Sequence, residues 1–322
     1  MKNCRIVPAS HLQTDAAPPM EQFRLRLLAQ GDSWFSINGL SLFTASSLLM
    51  RLDFDLSTLI VNCADPGDTL KHMVEWRSDP FFFRYFAGGA NFEVAWDGLL
   101  LSGGGNDLID ALGVRPTDAQ GVPRDRSERL LLTASERAAA GPIDRYVSPE
   151  GWAVFRDHLL RQYAILGAMR AGSARNRDIP IFTHCYAYAQ PRNVGAGPLG
   201  PWLLPALMAY QVPPDDWLAL AQHFIDLLHD QVTTQTGLAN FHILDSRAMI
   251  PPAPANPKVK DPNWLNEIHP KAKGYDRIAP DFVALIRGML PLAAAPAPVP
   301  VPAPATGRVP PPAPPAFPLL GG

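Results

Sequence analysis

From residue 23 to 29 the chain alternates apolar and basic side chains, Phe-Arg-Leu-Arg-Leu-Leu-Ala, and then becomes wholly apolar. A period of two marks a strand, and the loss of polar positions marks its passage from an exposed start into a buried centre. Similar apolar runs predict strands over 59–63, 94–101, 179–184 and 241–244. Between and after them, apolar residues recur at helical spacing over 40–52, 69–76, 81–86, 127–140, 149–169, 214–231 and 275–290. Strands alternating with helices predict an α/β fold: a three-layer α/β/α sandwich around a central parallel, flavodoxin-like five-stranded sheet. This domain is expected over 21–291. Residues 1–20 read as a loose lead-in, and the Pro/Ala-rich residues 292–322 as a disordered or polyproline tail that could serve as a ligand for a protein module.

Composition narrows the function classes. The chain has 322 residues, 47% hydrophobic and 18% charged, which is ample apolar material for a core. A formal net charge of −2 gives no electrostatic reason to expect nucleic acid or an anionic membrane as partner. Cys4, Cys63 and Cys185 are scattered without metal-like or disulfide-like spacing, which favours a reducing compartment. No apolar run reaches membrane-spanning length, and a cytoplasmic address is expected.

The candidate chemistry begins where the first strand ends. Gly31 permits a sharp turn, and Asp32-Ser33 can cap a following helix, leaving the Ser33 hydroxyl beside free N–H groups. A serine hydroxyl is a poor nucleophile unless a base and an oxyanion site face it. Three further stretches follow in chain order. Asn62-Cys63-Ala64-Asp65-Pro66-Gly67-Asp68-Thr69 follows the second strand, Gly104-Gly105-Asn106-Asp107 follows the third, and His269-Pro270 precedes the last helix. In an open parallel sheet the ends of successive strands converge on one crevice.

With these four blocks the chain resembles the SGNH/GDSL hydrolase superfamily across most of residues 23–290. The resemblance implies an ester hydrolase without metal or organic cofactor, acting through an acyl-serine intermediate on a small-molecule ester. Ser33 would be the nucleophile and His269 the general base. The Ser33 and Gly67 backbone N–H groups and the Asn106 side chain would form the oxyanion hole. One position departs from the family pattern. Three residues before the histidine, where an aspartate is usual, stands Asn266. Either the amide orients the imidazole, or a displaced acid such as Asp261 or Glu267 does so. A thioesterase or carbohydrate deacetylase would use the same residues, and a catalytically silent binding protein acting through its Pro-rich tail would keep the fold.

The remaining candidates point elsewhere. Trp34, Phe35, Trp202 and Leu203 could line an acyl or aryl pocket, with 191–205 as a lid or a plain connection. His184-Cys185 reads as packing. His223 and His229, six apart on one helix, do not share a face as a metal pair would, and Asp245 reads as a loop anchor. The glycine run lacks the Lys-Ser/Thr of a phosphate loop, so no nucleotide is expected.

Overall fold

The computed structural model describes residues 3–36, 46–196 and 198–290. Six parallel strands form the sheet: β1 (Cys4–Pro8), β2 (Leu25–Gly31), β3 (Thr58–Asn62), β4 (Gly98–Ser102), β5 (Ile181–His184) and β6 (Phe241–Leu244). Their spatial order is β1-β3-β2-β4-β5-β6. Without β1, this is the doubly wound flavodoxin-like order, whose switch point lies between β2 and β4. Around the sheet lie α1 (Leu70–Val74), α2 (Pro80–Ala87), α3 (Gly105–Gly113), α4 (Pro149–Gly172), α5 (Leu204–Ala209), α6 (Trp217–Gln231) and α7 (Ala272–Met289).

Every residue of β3 and β4 is buried. Their continuous apolar runs reflect helices covering both faces of the sheet, where an alternating pattern would mark a face open to water. The register sets Ala29 of β2 opposite Asn62 of β3, and Gly31 opposite Ser102 of β4. The carboxyl ends of these three central strands are therefore nearly level, and the loops that leave them open onto one crevice. No helix among the described residues is long and apolar enough to cross a membrane.

Three expectations need correction. The sheet has six strands where five were expected, because residues 4–8, assigned to a loose lead-in, pair with β3 from Cys4↔Thr58 to Pro8↔Asn62. As an edge strand β1 pairs on one side only, so it tolerates both the exposed Arg5 and the terminal Pro8, which blur its apolar pattern. The helix expected over 127–140 is one 3-10 turn, Arg126–Glu128, closed by a reciprocal cap between Asp125 and Glu128. Beyond it Leu131 bridges Val147, and the Glu136 carboxylate accepts from the Thr133 N–H at 2.8 Å and the Arg129 guanidinium at 2.6 Å. These side-chain bonds compete with a helical ladder. For the helix expected over 40–52, residues 40–45 lie outside the described residues, and the remainder holds a 3-10 turn, Leu49–Arg51. The Pro-rich tail also lies outside them.

Candidate active site

Ser33 sits two residues beyond β2, in a turn where the N–H groups of Phe35 and Ser36 both donate to the Asp32 carbonyl at 3.0 Å. The chain reaches this turn through Gly31, where a Cβ would lie 2.8 Å from both the Cβ and the carbonyl oxygen of Ser102. A larger residue would push β2 off β4 just before Ser33. The helix expected beyond Ser33 falls on residues outside the described set, and what surrounds the serine locally is this single turn.

The loop before α7 brings His269 onto the serine. His269 Nε2 lies 2.8 Å from Ser33 Oγ, and Nδ1 lies 3.0 Å from Asn266 Oδ1. The same Oδ1 accepts the backbone N–H groups of Ile268 at 3.1 Å and His269 at 2.8 Å. Two donors with fixed positions therefore decide which way the amide faces, and its oxygen must point inward. Nδ1 then carries the imidazole proton, and the lone pair of Nε2 faces the serine hydroxyl. An asparagine thus supplies the tautomer that a base needs, without supplying a charge. Burial holds His269 down to about 4, so at neutral pH the ring is uncharged and able to accept a proton.

The other two acids near the histidine do different work. Asp261 Oδ1 accepts the N–H groups of Asn263 and Trp264, both at 2.7 Å, and so closes a turn away from the imidazole. That corrects the expectation of Asp261 as a possible orienting acid for His269. The buried Glu267 carboxylate accepts four backbone N–H groups: Arg192 at 3.1 Å, Trp202 at 2.5 Å, Leu203 at 2.7 Å and Leu204 at 2.9 Å. In return, Arg192 donates to the Asn266 carbonyl at 2.9 Å. Burial pushes Glu267 above its usual range, and the four N–H donors oppose that push. The 191–205 segment is therefore bound to the histidine loop. It sets the Trp202 ring edge-on to His269 at 5.2 Å and Leu203 in the cleft wall.

Beside Ser33, at Asp32, is a buried polar cluster that sequence reasoning missed. Asp32 Oδ2 accepts the Tyr186 hydroxyl at 2.5 Å, and Oδ1 lies 3.1 Å from Ser102 Oγ. Ser102 Oγ is 3.1 Å from His184 Nε2, while His184 Nδ1 is 3.0 Å from the Cys185 carbonyl. The chain of contacts from Cys185 through His184 and Ser102 to Asp32 needs three protons. A neutral imidazole and one serine hydroxyl supply two. Burial pushes Asp32 up to about 6 and His184 down to about 4, so at neutral pH Asp32 is mostly ionised, facing the Tyr186 hydroxyl, the Ser102 hydroxyl and the Trp34 N–H, and a further proton taken up below about 6 goes to Asp32 before His184. His184, expected to be packing, does pack, stacked on Trp34 at 5.3 Å, and it also joins this cluster.

The second and third blocks meet through Asn106. Its Nδ2 donates to the Asp68 carbonyl at 3.0 Å, leaving the second amide hydrogen for the cleft that Asn106 lines together with Ser33. Gly67, one residue before Asp68, has a φ of 90°, a conformation that disfavours any side chain, and a Cβ there would meet nothing within 4 Å. The loop is thus open above that backbone. Asp107 of the third block points away from the cleft and accepts the Leu70 N–H at 2.9 Å, tying α1 to α3.

Beyond the serine the cleft narrows into an apolar slot walled by Leu108, Ile109, Leu112, Leu203, Phe224 and Ile225. Its cavity volume is about 60 Å³. Trp34 lines it, whereas Phe35, fully buried against His184 and Phe282, belongs to the core.

The missing charge gives a pH test. With His269 near 4, the base is neutral through the mildly acidic range, and kcat/KM should fall only as pH drops through that value. Asn266→Asp sets a carboxylate against Nδ1, which favours the imidazolium and raises the histidine pKa by about 1 to 3 units. The acidic limb of kcat/KM should move up by that amount. An unmoved limb would show that another group, Asp32 first among them, controls it.

No family model matches the sequence, and no curated protein matches it. Solved structures do match. A member of the lipolytic G-D-S-L family from Veillonella parvula is 10% identical, with a TM-score of 0.40 over 81% of this chain and 97% of that one. A protein described as a possible lipase from Chitinophaga pinensis is 14% identical, with a TM-score of 0.42 over 82% of this chain and 98% of that one. An acetylxylan esterase from Geobacillus stearothermophilus, in a catalytic mutant, is 15% identical, with a TM-score of 0.37 over 81% and 94%. The solved structures to which the chain is similar are GDSL and SGNH hydrolases, lipases and esterases.

Proposed function

We propose that this protein is a serine ester hydrolase of the SGNH/GDSL type, with Ser33 as nucleophile, His269 as general base and Asn266 as its orienting partner. The observation that carries the reading is the 2.8 Å contact between Ser33 Oγ and His269 Nε2, with Nδ1 held by an amide oxygen whose orientation two backbone N–H groups fix. As Ser33 Oγ attacks the acyl carbonyl, its proton passes to Nε2. The same proton then goes to the departing alkoxide. A water molecule, deprotonated at Nε2, cleaves the acyl-serine, and the regenerated serine takes that proton back as the carboxylic acid leaves. The negative oxygen formed at each addition is stabilised by the Ser33 and Gly67 backbone N–H groups and Asn106 Nδ2.

The apolar slot supports a short acyl group as the preferred substrate. Its apolar lining and small cavity volume suit acetyl to butyryl chains better than an octanoyl chain. The three free cysteines favour a reducing compartment, which supports a cytoplasmic site of action.

The test is covalent labelling. A fluorophosphonate probe should modify wild-type protein at Ser33 and leave Ser33→Ala unlabelled, and p-nitrophenyl acetate and butyrate should be cleaved with a kcat/KM about 10²-fold above the octanoate. Absence of labelling together with absence of turnover on every acyl ester would overturn the reading.

A further inference from the structure

Cys185, His229 and Asp245 lie far apart in sequence, yet the fold gathers them. Cys185 follows β5, Asp245 follows the neighbouring β6, and His229 lies in the last turn of α6. The thiol sulfur, a ring nitrogen and a carboxylate oxygen all lie within 4.8 Å of one another. From this juxtaposition we infer that the three residues form a binding site for a divalent metal ion of the zinc class, separate from Ser33 and His269.

The donor set chooses the ion. Thiolate and imidazole are poor ligands for magnesium or calcium, which take oxygen, whereas one sulfur, one nitrogen and one carboxylate oxygen suit zinc and cobalt(II). Bonds of about 2.0–2.3 Å in a tetrahedral shell separate ligand atoms by roughly 3.3–3.8 Å, so the group must close by about 1 Å. Rotation of Asp245, on the exposed side of the cluster, can supply most of that. His229 Nδ1 lies 2.5 Å from Asp230 Oδ1, and a proton on Nδ1 leaves the lone pair on Nε2, as in the carboxylate–histidine pairs common behind metal ligands.

The surrounding charge agrees with a dication. Arg247 donates to both oxygens of Asp245, at 2.9 and 2.7 Å, and to Asp226 at 2.8 Å, and it lies 3.5 Å from Asp230. Tyr188 also donates to Asp226, at 2.6 Å. Three carboxylates thus face one guanidinium, and with a neutral imidazole and thiol the neighbourhood carries a formal charge of −2. A metal would take the Asp245 oxygen from Arg247, which keeps Asp226 and Asp230. Coordination by sulfur releases the thiol proton to solvent. Three protein ligands leave one position for water, and the ion would tie the ends of β5, β6 and α6 behind Tyr186.

Full-length protein freed of metal with a chelator would be titrated with zinc by calorimetry and with cobalt(II) by absorption spectroscopy. Expected are one equivalent of zinc bound at micromolar affinity or tighter, a rise of a few degrees in the unfolding midpoint at saturating zinc, and a thiolate-to-cobalt charge-transfer band. Cys185→Ser should abolish the band, His229→Gln and Asp245→Asn should each weaken zinc binding at least tenfold, and Cys4→Ser should change neither. No stoichiometric binding by the wild type would overturn the inference, as would a cobalt band that survives Cys185→Ser. If Cys185→Ser fails to fold, unchanged zinc affinity in both His229→Gln and Asp245→Asn would overturn it.

Discussion

His269→Ala should lower kcat/KM for p-nitrophenyl acetate by about 10⁴- to 10⁶-fold, the cost usual when the base of an acyl-transfer site is removed. The magnitude follows from geometry. The imidazole is the group within hydrogen-bond distance of Ser33 Oγ, and its Nε2 lone pair has been left free by the amide of Asn266. The loss should fall on kcat, because the acyl slot is built from other residues, with KM changing by less than about threefold. A His269→Ala protein that retains a tenth of wild-type turnover would remove the histidine from the mechanism and leave its contact with Ser33 as packing.

Asn106→Ala should lower kcat by about 10²- to 10³-fold with little change in KM, as expected for one preorganised donor to a developing oxyanion. One amide hydrogen is committed to the Asp68 carbonyl at 3.0 Å, which fixes the direction of the other in advance of substrate. Such a donor acts when the oxygen bears charge and contributes little to binding the neutral ester. The alanine variant also leaves the Asp68 carbonyl without its partner, so loop displacement has to be separated from loss of the donor. A crystal structure of Asn106→Ala with the 67–68 backbone in place makes that separation. Asn106→Asp, which fills the same space with an acceptor, should be at least as slow as alanine. If Asn106→Asp restored turnover, the residue's contribution would be positional only.

Much of this arrangement is legible in the amino-acid sequence, because the strands that matter are the central ones. β3 and β4 are buried on both faces and β2 is buried from Leu27 onward, so apolar residues dominate their sequences, and the loops that follow them carry the glycines and polar residues of the candidate site. What escapes is set by contacts distant in sequence. β1 has the composition of a tail and becomes a strand through its pairing with β3. The cluster of Asp32, Ser102, His184 and Tyr186 spans four segments, and no local spacing announces it. Asn266 is visible as a departure from the family pattern. Its sense, a fixed tautomer without a charge, depends on the two backbone N–H groups that turn its oxygen inward. Asp261 and Glu267 cannot be told apart as candidate acids by sequence distance, because each is claimed by backbone donors that only the fold brings near.

The four N–H groups gathered on Glu267 join two parts of the proposed site that would otherwise be adjusted separately. Leu203, which lines the slot proposed for the acyl group, hangs on the carboxylate two residues before His269. Changes that widen the slot by moving the 202–204 backbone therefore pull on the turn that aims the imidazole, whereas changes on the opposite wall, at Leu112 or Phe224, leave that turn alone. If the proposed function holds, a lineage adapting to a bulkier acyl group has the Leu112 face of α3 and the Phe224 face of α6 as the surfaces free to drift, and the Trp202–Leu204 backbone is held in place by the histidine loop it borders.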